Sequence, residues 1–331
     1  MELKKIINNS LKIGLSLLLG GMILYWMYRD FDFSQVGNTL LHGMNWTWML
    51  LSFPFGILAQ MFRGWRWHLT LEPVGEHPRT STSVYSIFLS YAVSLIVPRI
   101  GEFARCGVLN RYDSVSFPKA LGTVVVERAI DSALVMTIAM LTFMFQFSIF
   151  DTFFNKTGTS IDTILSGFST MGYIVTAVCG VAVCLLAWYI MRRFAIYNKV
   201  RATVKGIWQG IMAVRSVKKP WLFVAFTLAI WISYFLHYYL TFFCFEATSH
   251  LGMACALVTF IVGSIAVIVP TPNGAGPWHF AVKTMLILYG VADTDALNFV
   301  LIVHSVQTLL VVALGVWAWA ALSLTQKRER Q

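Results

Sequence analysis

Long apolar segments follow one another along almost the whole chain, with only short polar stretches between them. A helix needs about 20 apolar residues to cross a bilayer, and six segments reach that length. These six predicted spans cover residues 11–28, 46–67, 117–147, 171–191, 221–245 and 297–324. The apolar runs are continuous and do not alternate with polar positions, which favours helices over a β-barrel. We therefore expect an all-α, polytopic membrane protein.

Two further apolar segments are interrupted by proline and glycine, at Ser94–Glu102 and at Ala266–Gly274. Proline removes a backbone donor and glycine permits unusual dihedrals, so each interruption leaves polar backbone at membrane depth. Lipid cannot satisfy such groups, which must face protein or a water-filled cavity. We predict two re-entrant pairs of short helices around a hydrated polar chamber. Their helices are expected at 81–97 with 101–110, and at 251–269 with 276–289.

Positive charge in the loops predicts the topology. The segment Arg192–Lys219 carries many basic residues and no acidic one, which is typical of a cytoplasmic loop beside anionic lipid. Both termini and the stretch Arg63–Arg79 are basic as well, so they are expected on the same side. The first re-entrant pair then enters from the cytoplasm and the second from outside. This arrangement indicates one membrane domain over residues 1–331, with inverted-repeat halves at about 46–147 and 221–324.

The composition excludes several classes of function. The chain is 57% hydrophobic and 12% charged, outside the range of ordinary soluble domains. Its net charge of +10 lies in loops beside the membrane, which favours lipid over nucleic acid as a partner. The five cysteines lack metal-ligand spacing and are interpreted as small hydrophobic residues. We expect no cofactor and no metal, and a homo-oligomer is compatible with the sequence.

Ionisable residues follow the first interruption inside predicted membrane segments. They are Arg99, Glu102, Arg105, Glu127, Arg128 and Asp131. Arg99, Glu102 and Arg105 recur every three residues, which predicts one shared face of the short helix. A charge inside the membrane costs about 2.5–3.5 kcal/mol, so this group needs partners. Two interpretations stay open: a structural ion-pair network, or a site in which the arginines bind a lipid phosphate.

A second pair of arginines ends the predicted span 46–67. Arg63 and Arg66 alternate with Trp65 and Trp67. Aromatic and basic residues at a cytoplasmic helix end are typical interfacial anchors, which is the simpler interpretation. Contact with a lipid phosphate is the alternative.

The second interruption contains three prolines and two glycines and cannot continue a helix. The helix that resumes after it points its N-terminus, the positive end of its dipole, into the membrane, which suits an anion. His279 and Lys283 are four residues apart and are expected on one face of that helix. The candidate binding residues here are Asn273, Gly274, Gly276, His279 and Lys283.

These motifs resemble those of the lysylphosphatidylglycerol synthase transmembrane region, a flippase-like family. The matching pieces are Arg63-Gly-Trp-Arg66-Trp, Pro98-Arg-Ile-Gly-Glu102-Phe-Ala-Arg105, Val126-Glu127-Arg128-Ala-Ile-Asp131 and Pro270-Thr-Pro272-Asn-Gly274-Ala-Gly276. The resemblance implies a protein of the bacterial cytoplasmic (inner) membrane that moves lipids between leaflets. Where many relatives carry a glutamate after the Gly-x-Gly turn, this chain has His279.

Three classes of function compete at this point. The leading hypothesis is a lipid translocase without enzymatic activity, in which the halves rock around a central headgroup cavity. A polyprenyl-linked membrane glycosyltransferase is the rival, because Asp30 and Asp32 follow the first span on the predicted outer side. An aspartate pair at a helix end is more often a solvated cap. An accessory protein of envelope lipid synthesis is the third hypothesis.

Overall fold

The structure is a computed structural model that describes Gly14 and residues 18–29, 31–147 and 216–329. For residues 35 and 326–329 it describes the backbone but not the side chain. The described part is all-helical and contains no strand, which confirms the predicted fold class. Its α-helices are α1 (Leu18–Tyr28), α2 (Ser34–Asn38), α3 (Trp46–Leu71), α4 (Thr80–Ile96), α5 (Gly101–Asp113), α6 (Phe117–Phe145), α7 (Pro220–Tyr239), α8 (Glu246–Ser249), α9 (Met253–Ala266), α10 (Pro277–Leu288) and α11 (Asp293–Glu329).

Two helical segments among the described residues are long and apolar enough to cross a membrane. They are Pro220–Cys244, which is α7 with the 3-10 turn that follows it, and Asp293–Thr325 within α11; their mean hydropathies are 1.5 and 2.3. Shorter apolar helices are α1, α4 and α9. The helix α6 is also long, with 29 residues, and it carries Glu127, Arg128 and Asp131 in its middle. The predicted span at 171–191, the loop at 151–162 and nearly all of the basic segment lie outside the described residues.

The first interruption separates α4 from α5, as the sequence predicts. Val97 is extended, with φ −124° and ψ 112°, because the ring of Pro98 disfavours helical dihedrals in the residue before it. Arg99 then adopts a left-handed φ of 64°, and α5 begins at Gly101. The chain therefore reverses within four residues, and α5 packs back against α4.

Proline and glycine also shape the second interruption, between α9 and α10. Thr271 is extended before Pro272, and a single 3-10 turn covers Pro272–Gly274. Gly276 has a φ of 90°, which a side chain would strain, and Pro277 opens α10 with its fixed φ. Both of the predicted pairs are thus helix–break–helix hairpins with bounds close to those expected.

The remaining helices hold these two hairpins together. α3 packs along α7, α4 lies against α11, and α9 lies against α6. An aromatic core around Phe242 and Phe299 supports the second hairpin, while Trp67 and Leu71 belong to a core beneath the first. Large apolar side chains such as Met140 and Trp221 are exposed on the outer helix faces, as expected for a surface that meets lipid.

Candidate functional site

Seven charged side chains from three helices meet in the interior beside the first hairpin. We call them the arginine–carboxylate cluster: Arg63, Arg66, Glu102, Arg105, Glu127, Arg128 and Asp131. Arg63 lies about 12 Å along α3 from its end, and Glu127 lies about 15 Å along α6 from its start. The cluster is therefore well inside the helical body.

Asp131 pairs with both arginines of α3. Its Oδ2 lies 2.7 Å from Nη1 of Arg63, and its Oδ1 lies 2.8 Å from Nη1 of Arg66. The same nitrogen of Arg66 donates to Oγ1 of Thr227 on α7 at 3.2 Å. Arg63 and Arg66 are only 3% and 0% exposed, so the interfacial-anchor interpretation of these arginines is wrong. Their spacing of three residues places both on the side of α3 that faces α6, away from the protein surface.

Glu127 pairs with Arg105 on α5 and with Arg66. Arg105 donates a hydrogen bond from Nη1 to Oε2 of Glu127 at 3.0 Å, and Nε of Arg66 lies 3.4 Å from Oε1. The guanidinium of Arg105 also lies over the ring of Trp67, 4.5 Å from its centroid. Trp67 in turn donates from Nε1 to Thr123 on α6 at 2.9 Å. Trp67 is fully buried, so it supports the cluster and is not an interfacial anchor.

Glu102 and Arg128 form the outer layer of the cluster. Oε2 of Glu102 lies 2.8 Å from Nη2 of Arg105, and Oε1 lies 3.3 Å from Nε of Arg128. Arg128 also approaches Asp131 at 3.5 Å. The side chains of Glu102 and Arg128 are 30% and 40% exposed, whereas Glu127 is fully buried. The cluster is thus open to its surroundings on this side.

The cluster carries more positive than negative charge. Its four arginines face three carboxylates, a net charge of +1 among the described residues. Several buried nitrogens have no hydrogen-bond partner in the described structure: Nε of Arg63, Nη2 of Arg66 and Nε of Arg105. Buried donors without partners are costly, so this arrangement has capacity for an additional acceptor.

A cavity of about 50 Å³ opens directly beside these arginines. This volume holds about three or four water molecules, which is comparable to a phosphate group. The lining comprises Arg63, Ile87, Ser90, Tyr91, Ser94, Gly101, Glu102, Arg105 and Arg128. Three guanidinium groups and the N-terminus of α5 therefore surround one small space, a combination that suits a phosphate oxygen.

Close backbone packing shapes one wall of this cavity. A Cβ atom added to Gly101 would lie 2.2 Å from the carbonyl oxygen of Ser90 and 2.3 Å from Oγ of Ser94. Only glycine therefore lets the first turn of α5 approach α4 this closely. Tyr91 closes the neighbouring wall, where its hydroxyl accepts a hydrogen bond from Tyr234 of α7 at 2.8 Å.

The residues of the second interruption form a separate polar group. Asn273 donates from Nδ2 to Oγ1 of Thr308 at 2.7 Å, and Nε2 of His304 lies 3.1 Å from the carbonyl oxygen of Asn273. The ring of His279 is buried against that of His304, with centroids 4.4 Å apart. Gly276 packs against the backbone of Gly20 on α1. None of the second-interruption candidates lines the arginine cavity, so the expectation of one chamber shared by both interruptions is wrong for this cavity.

Two candidate residues lie away from the places predicted for them. Arg99 is exposed and precedes α5 in a left-handed conformation, so it does not share a helical face with Glu102 and Arg105. Its guanidinium donates instead to the carbonyl oxygen of Ile268 at the second interruption. Lys283 pairs with Asp293 at the start of α11 at 2.8 Å, which directs its amine to that helix end.

Sequence reasoning missed several residues that shape the cavity. Ser90, Tyr91 and Ser94 lie within an apolar helix, and their i, i+4 spacing of serines beside a proline break is a weak signal that could have marked them. Thr227 carries no signal in sequence, because it reaches Arg66 only through the contact between α3 and α7. Among the described residues, no group of three histidines, cysteines or acids could hold a metal ion. The described cysteines, Cys106, Cys244 and Cys255, are buried free thiols.

Comparison with known proteins gives one positive result. No curated protein and no solved structure matches the chain significantly. The family described as the lysylphosphatidylglycerol synthase TM region matches residues 13–315. This range includes the whole arginine–carboxylate cluster and both interruptions. The chain therefore belongs to the lysylphosphatidylglycerol synthase transmembrane-region family, a membrane family associated with lipids.

Proposed function

We propose that the chain is a lipid translocase that moves a phosphate-bearing lipid between the leaflets of the bacterial cytoplasmic membrane. The headgroup phosphate would bind in the cavity beside Arg63, Arg105 and Arg128. The acyl chains would stay in the bilayer, next to exposed apolar residues such as Ile96 and Phe103 on the neighbouring helices. The family description names a phosphate-bearing lipid, lysylphosphatidylglycerol, which agrees with this ligand chemistry.

One observation carries the proposal: a small cavity inside a membrane protein is lined by three arginines and one carboxylate. A purely structural network would be expected to balance its charges and leave no space. This cluster keeps a positive charge and buried donors without partners next to an open volume. Charge-assisted hydrogen bonds from arginine to a phosphate are among the stronger polar contacts, because the fork of the guanidinium matches two phosphate oxygens.

We also propose the inverted repeat, with six full spans and both termini in the cytoplasm. The packing of the helices supports it, because several helix contacts have a counterpart when the two halves are exchanged. The first helices of the halves, α3 and α7, pack on each other, while α4 packs on α11 and α9 packs on α6. In the proposed repeat, α4 corresponds to α9 and α6 corresponds to α11. The contact between α4 and α11 is therefore equivalent to the contact between α9 and α6. Rocking of one half against the other would expose the cavity to each leaflet in turn.

Transport of labelled lipid in liposomes tests the proposed function. The full chain is reconstituted with fluorescent phosphatidylglycerol, and a membrane-impermeant quencher measures the fraction in the outer leaflet over time. We expect equilibration faster than in protein-free liposomes, and unchanged lipid mass by mass spectrometry. A changed mass would instead support the glycosyltransferase, and no transport at all would contradict the proposal.

Arg128→Ala is the most informative variant, because its side chain is 40% exposed and the protein is expected to fold without it. Loss of one charge-assisted hydrogen bond to phosphate removes about 1.5–3 kcal/mol, so transport should fall about tenfold or more. Arg111→Ala is the matched control, since Arg111 is an exposed arginine near the other end of α5. Equal transport by Arg128→Ala and the wild type would contradict the role of the cavity.

A further inference from the structure

Glu102 lines the cavity together with Arg63, Arg105 and Arg128. It is the second residue of α5 and, among the residues that the structure describes, the one carboxylate that lines the cavity. The other two carboxylates of the cluster, Glu127 and Asp131, lie behind the arginines and are almost completely buried. The side chain of Glu102 is 30% exposed and that of Arg105 only 1%, so a headgroup that enters from the open side of the cluster would meet Glu102 first.

The ion pairs of Glu102 are less directed than the hydrogen bond between Arg105 and Glu127. Oε2 of Glu102 and Nη2 of Arg105 are 2.8 Å apart, yet neither atom makes an aligned hydrogen bond. Nε of Arg128 likewise has no aligned partner, although Oε1 of Glu102 is 3.3 Å away. By contrast, Arg105 makes a directed hydrogen bond to Glu127. Glu127 thus holds Arg105 in place from the buried side, while Glu102 contacts it from the more exposed side.

A carboxylate presents two oxygens to a guanidinium much as a phosphate does. The position of Glu102, in the first turn of α5, is also where a helix N-terminus favours negative charge. Nη2 of the fully buried Arg105 lies 2.8 Å from Oε2 of Glu102 without an aligned hydrogen bond, so the helix end is not the sole feature that points to an anion.

We propose that Glu102 determines headgroup specificity: its carboxylate occupies the phosphate position in the lipid-free protein and restricts binding to headgroups with one phosphodiester charge. This inference rests on the proposed function. With Glu102 ionised, the cluster has a net charge of +1, which a single phosphodiester neutralises. Without the charge of Glu102, the net charge of the cluster would be +2. That charge suits a phosphomonoester, which carries nearly two negative charges.

Binding of short-chain lipids to the purified full chain in detergent tests this inference. Dihexanoyl phosphatidylglycerol supplies one charge, dihexanoyl phosphatidic acid supplies nearly two, and inorganic phosphate represents the anion without a lipid. We expect Glu102→Gln to shift the ratio of the two lipid Kd values towards phosphatidic acid by about tenfold or more, since one charge changes at close range to the phosphate. Glu102→Asp, which keeps the charge, should retain the wild-type ratio.

Glu246→Gln is the control for the change in net charge, because Glu246 is exposed at the start of α8. It should leave both lipid affinities unchanged. An unchanged Kd ratio in Glu102→Gln, with phosphatidylglycerol still bound and transported by the wild type, would overturn this inference alone. A wild-type protein that binds neither lipid, or binds inorganic phosphate as tightly as phosphatidylglycerol, would overturn the proposed function as well.

Folding of the neutral variant provides a second measurement. If Glu102 occupies a phosphate position, then Glu102→Gln should be less stable than the wild type without lipid. Phosphatidic acid should then raise its Tm more than it raises the Tm of the wild type. Failure of both lipids to restore a folded Glu102→Gln protein would show that Glu102 is a structural ion-pair partner and would overturn the inference.

Discussion

Arg99 donates a hydrogen bond to the backbone carbonyl of Ile268, a residue 169 positions further along the chain. The contact joins the loop of the first interruption to the loop of the second. Ile268 follows the end of α9, where carbonyl groups lack helical partners, so a cation there is stabilising. The two hairpins are thus tied to each other at their breaks, although they do not share the arginine cavity.

Removal of this contact should loosen the second interruption more than it destabilises the protein. Arg99→Ala is expected to increase hydrogen–deuterium exchange in peptides covering residues 266–276, because the carbonyl of Ile268 loses its donor. The change in unfolding free energy should be about 1 kcal/mol or less, since Arg99 is exposed. Arg111→Ala serves as the control, and equal exchange in both variants would show that the contact does not restrain the loop.

Gly101 and Gly107 provide a matched test of the close approach of α5 to α4. Gly101→Ala places a Cβ atom 2.2 Å from the carbonyl oxygen of Ser90, so α5 must move away from α4. We expect a loss of about 1–3 kcal/mol and a measurable fall in Tm in detergent. Gly107→Ala meets nothing within 4 Å and should stabilise the helix by about 0.5–1 kcal/mol. Similar Tm changes in the two variants would contradict this packing.

Asp131 is expected to be essential for folding. Asp131→Asn leaves Arg63 and Arg66 buried without the carboxylate that pairs with both, at a cost of about 3–5 kcal/mol. The yield of monodisperse protein in size-exclusion chromatography should fall sharply. The double variant Asp131→Asn with Arg63→Gln should recover part of the yield, because one unpaired charge is removed. A double variant worse than the single one would contradict the pairing.

The topology can be tested with single cysteines on exposed loops. In a background without native cysteines, His77→Cys should react with a membrane-impermeant thiol reagent only after the membrane is permeabilised, because it lies in the basic Arg63–Arg79 stretch. Glu246→Cys, after α7, should react in intact cells from outside. Labelling of both positions from the same side would contradict the predicted number of spans and the inverted repeat.

Local chemistry explains why the two interruptions could be predicted from sequence. The ring of Pro98 disfavours helical dihedrals at Val97, and the positive φ of Gly276 favours glycine, so both effects act within a few residues of the chain. Both hairpins therefore have bounds within a few residues of those expected. The apolar length of α7 and α11 is likewise a local property, and their prediction is confirmed.

The environment of the charged residues could not be predicted in the same way. Arg63 and Arg66 have the sequence context of interfacial anchors, yet α6 supplies Asp131 to both. Arg99 precedes Glu102 by three residues, as Glu102 precedes Arg105, but the left-handed conformation of Arg99 before α5 directs its side chain to Ile268. Spacing rules hold only within one continuous helix, and here the helix begins two residues after Arg99.

The sequence by itself determined the all-helical membrane class, the two hairpins and the set of ionisable residues, because hydrophobic length and the dihedral limits of proline and glycine act locally. Tertiary structure decided which of those residues meet. Contacts among α3, α5 and α6 assemble the arginine–carboxylate cluster and leave the cavity beside it, while Asn273 and His279 form a separate group. Such contacts join residues far apart in the chain, and their partners follow from the packing of helices.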